Sequence, residues 1–228
     1  ASDIMEFLAE ELPRLGGVVI QTEDEISALA SVLGASYAGK SAMTATSGPG
    51  LSLMTELIGL ASMSEIPVVI VDVQRGGPST GMPTKTEQSD FNITLFGTHG
   101  DAPKVVIAPI NVEDCFVQTI NAFKIAKKYQ LPVFILSDLS LAYRMENIRR
   151  PDVSKITNEN NNNAEPCKDM ALPYKRYKIT ETGVSSYCIP GTPGKCFVAT
   201  GLEHSEEGDP QYSPHYHKVM TEKRFRKL

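Results

Sequence analysis

The sequence has no tryptophan and no apolar run long enough to cross a bilayer. A membrane-spanning helix needs about 20 mostly apolar residues in a row. The start of the chain also has no charged, apolar and small-residue series of the kind that marks a secretory signal. These absences predict a protein that does not bind membranes and that works in the cytoplasm.

Cysteine is scarce and is not arranged for metal binding. The four cysteines contain no C-x-x-C pair, which argues against a zinc knot or an iron–sulfur cluster held by this chain alone; they are Cys115, Cys167, Cys188 and Cys196. We expect all four to be reduced thiols. His99 is the only histidine in the first 150 residues and lacks neighbours at metal-ligand spacing, so no metal site is predicted.

Positive charge is also in short supply. The chain has 22 Lys and Arg against 27 Asp and Glu, which gives a net charge of -5 and a pI near 5.5. A general nucleic-acid binder needs a basic surface that neutralises phosphates. The composition therefore argues against nucleic acid as a partner.

What the chain does have is an alternation of short apolar runs and helical stretches between residues 1 and 150. This pattern predicts an α/β domain with a parallel sheet covered by helices on both faces, since each run is apolar nearly throughout. The predicted strands are Gly17–Thr22, Ala42–Thr46, Val68–Val73, Val105–Pro109 and Val133–Ser137. Helices are predicted near residues 2–12, 24–37, 51–63 and 112–129, with Asn111 as the cap of the last one.

The composition changes after Arg150. Residues 151–171 contain the tract "NENNNNAEPC" and are predicted to form a polar, Asn-rich linker. Residues 172–228 regain turns and aromatic side chains, and we expect them to be a partial segment that leads into a truncated C-terminal domain. The domain organisation is thus 1–150, 151–171 and 172–228.

Ligand sites of parallel α/β sheets lie at the carboxyl ends of the strands, and three of the predicted strands end in polar or glycine-rich sequence. The first is followed by Glu23, Asp24 and Glu25. Acids in the first turn of a helix complement its dipole, and this explanation suits Asp24 and Glu25. Glu23 follows the predicted strand directly and is expected to point into the crevice, where its carboxylate needs a partner.

The second strand end reads "TSGPG" and contains Thr46, Ser47 and Gly48. It lacks the G-K-[ST] of a Walker loop and is neither the G-x-G-x-x-G fingerprint nor the G-x-S-x-G nucleophile elbow. An ordinary strand-to-helix turn explains its glycines. A turn that lets a ligand approach the backbone is the other interpretation, and it stays open.

The third strand end, "QRGGPSTGMPTKTEQSD", is the most specific of the three. Arg75 comes directly after a buried strand and offers a cationic fork suited to a carboxylate or phosphate. A salt bridge from Arg75 to Glu23 or Asp24 is the simpler alternative. Thr84 and Lys85 could add contacts to a second anionic group.

These stretches together resemble a known family. "QTEDEISALASVLGASYAGKSAMTATSGPGLSLMTELIGLA" followed by "PVVIVDVQRGGPSTGMPTKTEQSD" resembles the α subunit of 2-oxoacid:ferredoxin oxidoreductases, particularly of the 2-oxoglutarate type. The likeness extends to "GVSSYCIPGTPG", "ATGLEHSEEG" and "EKRFRKL". It implies that the first domain is the pyrimidine-binding half of a thiamine diphosphate site.

The resemblance also implies roles for individual residues. Glu23 would bond N1′ of the cofactor's aminopyrimidine, and Arg75 would bind the 1-carboxylate of the substrate. Thr84, with Lys85 beside it, would lie near the distal carboxylate of a dicarboxylic substrate. Cofactor contacts would also come from the strand-to-helix turn, at Thr46, Ser47 and Gly48.

The reaction implied is the oxidative decarboxylation of 2-oxoglutarate to succinyl-CoA, with coenzyme A as co-substrate and ferredoxin as electron acceptor, or the reverse carboxylation. Pyruvate or a branched-chain 2-oxoacid is the alternative substrate. A non-catalytic α/β binding or regulatory module is the alternative from another class.

Two family motifs are absent from this chain. The family's Y-P-I-T-P segment, whose Thr touches substrate, would precede residue 1, so the chain is expected to be truncated. No G-D-G…N motif for diphosphate and Mg²⁺ is present, and the family places this motif and the cysteines of the [4Fe-4S] cluster on a β subunit. The resemblance therefore predicts a hetero-oligomer and a chain that is inactive without its partner.

Overall fold

The computed structural model describes residues 2–154, 167 and 172–228. Its centre is a parallel four-stranded sheet with the order β1-β2-β4-β3. The strands are β1 Met43–Thr46, β2 Val68–Gln74, β3 Val105–Ile107 and β4 Pro132–Asp138. Four of the five predicted strands are thus confirmed, each with small shifts of its ends.

Helices connect and flank these strands, and the described ranges also contain a short 3-10 turn at Pro13–Leu15. The helices are α1 Ser2–Glu11, α2 Glu25–Tyr37, α3 Gly48–Met63, α4 Phe91–Phe96, α5 Val112–Tyr129, α6 Leu139–Ala142 and α7 Pro214–Phe225. The predicted helices are confirmed, and α3 begins about one turn earlier than expected. No helix in these ranges is long and apolar enough to span a membrane.

Both faces of the sheet are covered, as the uniformly apolar strands predict. On one face Ile70 of β2 packs with α2 and α3 through Leu29 and Met54. On the other face Val71 packs with α5 through Ala122. Strands buried on both sides need no polar alternation, which explains their nearly continuous Val and Ile content.

The strand predicted at 17–22 is not formed, and this prediction was wrong. No other strand in the described part of the chain pairs with it, and Val18 and Ile20 are 75% and 67% exposed. Apolar, β-branched residues favour an extended backbone, but a strand also requires a neighbour that completes its hydrogen bonds. The segment therefore reaches Glu23 without forming a strand.

The segment 172–228 packs against the amino end of the sheet through a buried ionic cluster around Glu65. Lys223 and Lys227 each bring Nζ to 2.6 Å from a carboxylate oxygen of Glu65. Arg176 donates to the Glu65 carbonyl at 2.7 Å and to Gln130 Oε1 at 2.9 Å. Burial acts to raise the pKa of Glu65, but the charges of Lys227 and Lys223 outweigh it and lower that pKa to about 2.

The domain boundaries stay a prediction, and most of the proposed linker lies outside the described residues. The expectation of four reduced thiols was wrong, because the structure joins Cys167 to Cys188 in a disulfide. Sequence separation alone did not predict this pairing, since folding brings the two Cα atoms within 4.8 Å. Cys115 and Cys196 are free.

Candidate functional site

The candidate site lies at the carboxyl ends of β1 and β2, where α3 begins. Ser47 is the single residue between the end of β1 and Gly48, the first residue of α3. This short connection places the first turn of α3 directly above the sheet edge. The neighbouring strand, β2, ends at Gln74 and delivers Arg75 to the same edge.

The guanidinium of Arg75 is fixed by two hydrogen bonds to uncharged groups. Its Nε donates to Ser47 Oγ at 2.9 Å, and its Nη1 donates to the Thr80 carbonyl at 2.7 Å. The alternative salt bridge to Glu23 or Asp24 is not formed. A half-buried, oriented guanidinium of this kind keeps its charge available for a ligand anion.

The loop after Arg75 folds back on itself. The Gly76 N–H donates to the Lys85 carbonyl at 2.9 Å, and the Met82 N–H donates to the Gly76 carbonyl, also at 2.9 Å. Thr84 and Lys85 are exposed at the end of this loop. The structure therefore brings these two predicted residues next to the Arg75 strand end, although their predicted contacts with a substrate stay predictions.

Asp90 is a part of the site that the sequence reasoning missed. Its backbone N–H donates to Gln74 Oε1 at 3.1 Å, and its carboxylate interacts with the backbone N–H of Gly48. The preceding Ser89 donates to the Arg75 carbonyl at 2.9 Å. The end of the loop is therefore tied both to the end of β2 and to the start of α3.

The "TSGPG" glycines are explained by close approach of the protein's own side chains. A Cβ at Gly48 would come within 2.5 Å of Asp90 Oδ1. A Cβ at Gly50 would come within 2.1 Å of Thr46 Oγ1 and 2.6 Å of Glu25 Cγ. Real Cβ atoms do not approach other atoms so closely, so glycine is required at both positions. The predicted contacts of Thr46, Ser47 and Gly48 with a cofactor stay predictions.

The three consecutive acids separate into different environments. Asp24 caps α2, with Oδ1 accepting from the Ser27 N–H at 2.7 Å, and this hydrogen bond lowers the pKa of Asp24. Glu25 packs against Gly50 in the first turn of α3. Glu23 is exposed and has no hydrogen bond or ion pair within the described ranges. The capping role of Asp24 is confirmed, and the catalytic role of Glu23 stays a prediction.

A second feature that the sequence reasoning missed is Asp72, in the middle of β2. The residue is 0% exposed, and neither carboxylate oxygen has a hydrogen-bond partner in the part of the chain that the structure describes. Burial, and then the charge of Asp90, raise the pKa of Asp72 to about 8. An acid inside the apolar run "VVIVDVQ" was the sequence signal for this residue.

An open cleft of about 840 Å³ extends the site along the carboxyl edge toward β3 and β4. Gln88 crosses it and donates to Asp138 Oδ2 at 2.7 Å. Large apolar side chains are exposed on or near this edge, among them Phe91, Ile110, Tyr143 and Met145. Several exposed apolar side chains in one region of a domain are typical of protein interfaces.

A parallel α/β sheet with an oriented Arg and a helix start at its carboxyl edge is typical of domains that bind anionic small molecules. Residues 1–223 match the family model described as pyruvate flavodoxin/ferredoxin oxidoreductase, thiamine diphosphate-binding. The chain belongs to this family, which confirms the resemblance seen in its sequence.

Two curated relatives match the whole chain. The 2-oxoglutarate synthase subunit KorA of Methanocaldococcus jannaschii is 42% identical over 232 residues, which are 60% of its own length. The 2-oxoglutarate oxidoreductase subunit KorA of Mycobacterium tuberculosis is 42% identical over 229 residues, which are 34% of its length. The chain therefore spans about a third to three fifths of these relatives.

A solved structure agrees with the sequence matches. The 2-oxoglutarate:ferredoxin oxidoreductase from Magnetococcus marinus, determined with 2-oxoglutarate, coenzyme A and succinyl-CoA bound, is 50% identical, with a TM-score of 0.93. The match covers 100% of this chain and 39% of that chain. The predicted fold class, that of a thiamine-diphosphate-binding domain, is thereby confirmed.

Proposed function

We propose that this chain is part of the α subunit of a 2-oxoglutarate:ferredoxin oxidoreductase. In the complete complex it would take part in the oxidative decarboxylation of 2-oxoglutarate to succinyl-CoA, or in the reverse carboxylation. The observation that carries the proposal is Arg75, which is oriented by Ser47 and Thr80 at the sheet edge of a chain that belongs to this family.

The residues present fit thiamine diphosphate. The aminopyrimidine of this cofactor needs a carboxylate at N1′, and the exposed carboxylate of Glu23 is open to accept such a partner. When bound, the cofactor would supply a nucleophilic carbon for the ketone, and its cationic ring would serve as an electron sink. The part of Glu23 would be to hold the proton at N1′. The turn from Thr46 to Gly48 would support the ring.

The substrate would be bound at two points. The Arg75 guanidinium would take the 1-carboxylate, for which its fixed planar fork is suited. Thr84 and Lys85 would contact the distal carboxylate, because the loop returns them to the backbone beside Arg75. Pyruvate has no distal carboxylate, so these two contacts favour a dicarboxylic substrate.

The missing parts of the reaction would come from partners. We assign Mg²⁺, the diphosphate motif and the [4Fe-4S] cluster to a β subunit, with ferredoxin as electron acceptor and coenzyme A as acyl acceptor. The exposed apolar side chains along the carboxyl edge support such a subunit contact, because one sits on each of several neighbouring elements, including Phe91 on α4 and Ile110 before α5. A cytoplasmic location belongs to the same proposal.

The test is a ferredoxin-reduction assay on the complex of the complete α subunit with its β subunit. We expect a higher kcat/KM with 2-oxoglutarate than with pyruvate, and no activity from either subunit alone. Preference for pyruvate would overturn the substrate assignment. If the complex fails to reduce ferredoxin with any of the 2-oxoacids tested, the proposed function as a whole is overturned.

A further inference from the structure

The carboxyl of Asp72 is a buried ionisable group to which the proposed reaction gives no part. Both of its oxygens lack a hydrogen-bond partner, and so does the buried Oδ2 of Asp90, within the ranges that the structure describes. Together the two residues hold three carboxyl oxygens out of contact with water. Ionised carboxylates only accept hydrogen bonds, so two of them cannot satisfy each other while both are charged.

Sheet register places Asp72 under the start of α3. Asp72 pairs with Thr46 of β1, whose Oγ1 faces Gly50 in the first turn of α3. Side chains alternate along a strand, so Asp72 and Gln74 lie on the same face of β2. Gln74 holds the backbone N–H of Asp90 on that face. Asp90 therefore lies above the strand one repeat beyond Asp72.

One bound proton would supply the hydrogen bond that the two carboxyl groups lack. A protonated Asp72 has an O–H that can donate to an oxygen of Asp90, and the pair then carries one negative charge instead of two. Burial and the charge of Asp90 favour the protonated form of Asp72, whose pKa is raised to about 8. Burial also raises the pKa of Asp90, but Ser89, Gly48 and Arg75 all favour its ionised form.

The other ionisable groups near the pair come from the loop and from α2. From the loop, Glu87 and Arg75 act on Asp90 with opposite charges. From α2, Glu25 lies beside Thr46 and Gly50. The neighbour of Asp72 in β4 is Leu136, which is not ionisable. Among the residues that the structure describes, Asp90 is the charge that acts on Asp72 itself.

We propose that Asp72 is a positioning residue that, as a neutral acid, donates a hydrogen bond to Asp90 and so holds the carboxylate that contacts Gly48 and faces Arg75. This role rests on the proposed function, because Arg75 matters here as the binding group for the substrate carboxylate. Loss of the proton would place a second negative charge beneath the anion site. Substrate binding would then weaken, while the chemical step would change less.

The first test detects the proton without any turnover. Infrared spectra of the complete α–β complex, with ¹³C-labelled aspartate in the α subunit, report the C=O stretch of a protonated carboxyl. We expect this band at about pH 6 and its loss by about pH 10 in the wild type. Asp72→Asn should lack the band at both pH values, and Glu56→Gln, an exposed acid on α3, should behave as the wild type.

The second test measures the KM for 2-oxoglutarate against pH. In the wild type we expect the KM to rise on the order of tenfold between about pH 7 and pH 9.5, with a smaller change in kcat. In Asp72→Asn, which mimics the permanently protonated residue, the KM should stay flat over the same range. A merely structural role for Asp72 would not produce this difference in pH profile.

Either of two results would overturn the proposal: an infrared band that persists in Asp72→Asn, or a KM that rises with pH in this variant as in the wild type. If Asp72→Asn does not fold, Asp90→Asn replaces it, because loss of the neighbouring charge should lower the pH at which the band disappears. An unchanged titration in Asp90→Asn would also refute proton sharing. If the proposed function is wrong, the complex should show no turnover of 2-oxoacids, while the infrared band of Asp72 should still be present.

Discussion

Arg75 donates a hydrogen bond from Nε to Ser47 Oγ over 2.9 Å, and this contact joins the end of β2 to the first turn of α3. Ser47 precedes α3 but does not cap it with its side chain. Its hydroxyl instead accepts from the guanidinium, while the carboxylate of Asp90 serves the Gly48 N–H. Arg75 is thus oriented by hydrogen bonds to uncharged groups, without a salt bridge to a residue in the described part of the chain.

Arg75→Lys should raise the KM for 2-oxoglutarate by about 10- to 100-fold, with a smaller fall in kcat. Lysine keeps the charge but cannot bond Ser47 and Thr80 while also offering a planar pair of donors to a carboxylate. Steady-state kinetics of the complex would measure this. Lys124→Arg, on the distant helix α5, serves as the control. Unchanged KM in Arg75→Lys would remove this residue from the substrate site.

Glu23→Gln should reduce turnover by about 10²- to 10⁴-fold, the usual contribution of a positioned acid–base group. Glu25→Gln is the informative comparison, because Glu25 lies two residues further on and packs against Gly50 within the protein. We expect Glu25→Gln to keep most of its activity. Loss in Glu25→Gln together with near-normal turnover in Glu23→Gln would show that the wrong acid has been assigned, and turnover unaffected in both would favour a non-catalytic binding module.

Gly48→Ala should destabilise the protein by about 1–3 kcal/mol, because its Cβ would lie 2.5 Å from Asp90 Oδ1 and force this carboxylate away. Gly59→Ala is a matched control in the same helix, since a Cβ at Gly59 would meet nothing within 4 Å. There, the higher helix propensity of alanine should stabilise by about 0.4–1 kcal/mol. Chemical denaturation of the two variants would compare them, and equal effects would contradict the close approach seen at Gly48.

Glu65→Gln should lower the free energy of unfolding by about 3–5 kcal/mol at neutral pH, because it leaves Lys223 and Lys227 buried without their carboxylate. The pKa of Glu65 is lowered from 4.5 to about 2, so its ionised form is the one that the fold favours. This stabilisation should be fully present above about pH 4.5 and lost as the pH falls toward 2.

Denaturant titrations across that acidic window would measure the effect. The wild type should lose stability more steeply than Glu65→Gln, and Glu56→Gln, with an exposed side chain on α3, should follow the wild type. If the wild type and Glu65→Gln lose stability in parallel, the pKa of Glu65 is the same in the folded and unfolded states, which would contradict this prediction.

Much of the fold was predictable from local pattern. The helix α5 was predicted with both of its ends because Asn111 caps it and acids occupy its first turn. Strands β2 and β4 were predicted because both of their faces are apolar. The stretch from residue 17 to 22 is also rich in β-branched residues, yet its Val18 and Ile20 are exposed, because a strand also needs a neighbour with which to pair.

The site was only partly predictable, for a related reason. Arg75, Ser47 and Gly48 follow directly on strand ends, so the position of each in the chain indicated the sheet edge. Asp90 lies 16 residues after Gln74, and only the folded loop brings these two together. Family likeness assigned a role to Glu23, and the helix-start pattern assigned Asp24 and Glu25 to α2. The contact of Glu25 with Gly50 could not be predicted, because only the fold brings α2 and α3 together.

The Glu65 cluster and Arg75 occupy opposite ends of β2. Lys223 and Lys227 anchor the last described part of the chain below this strand, while Arg75 and Asp90 stand above it. The seven residues of β2 separate the two ends. The segment that carries α7 also contacts the ends of α2 and α3, where Tyr187 donates to the Tyr37 carbonyl and Ser64 donates to the Thr200 carbonyl. A displacement of this segment would therefore be transmitted to the candidate site along the length of β2, α2 or α3.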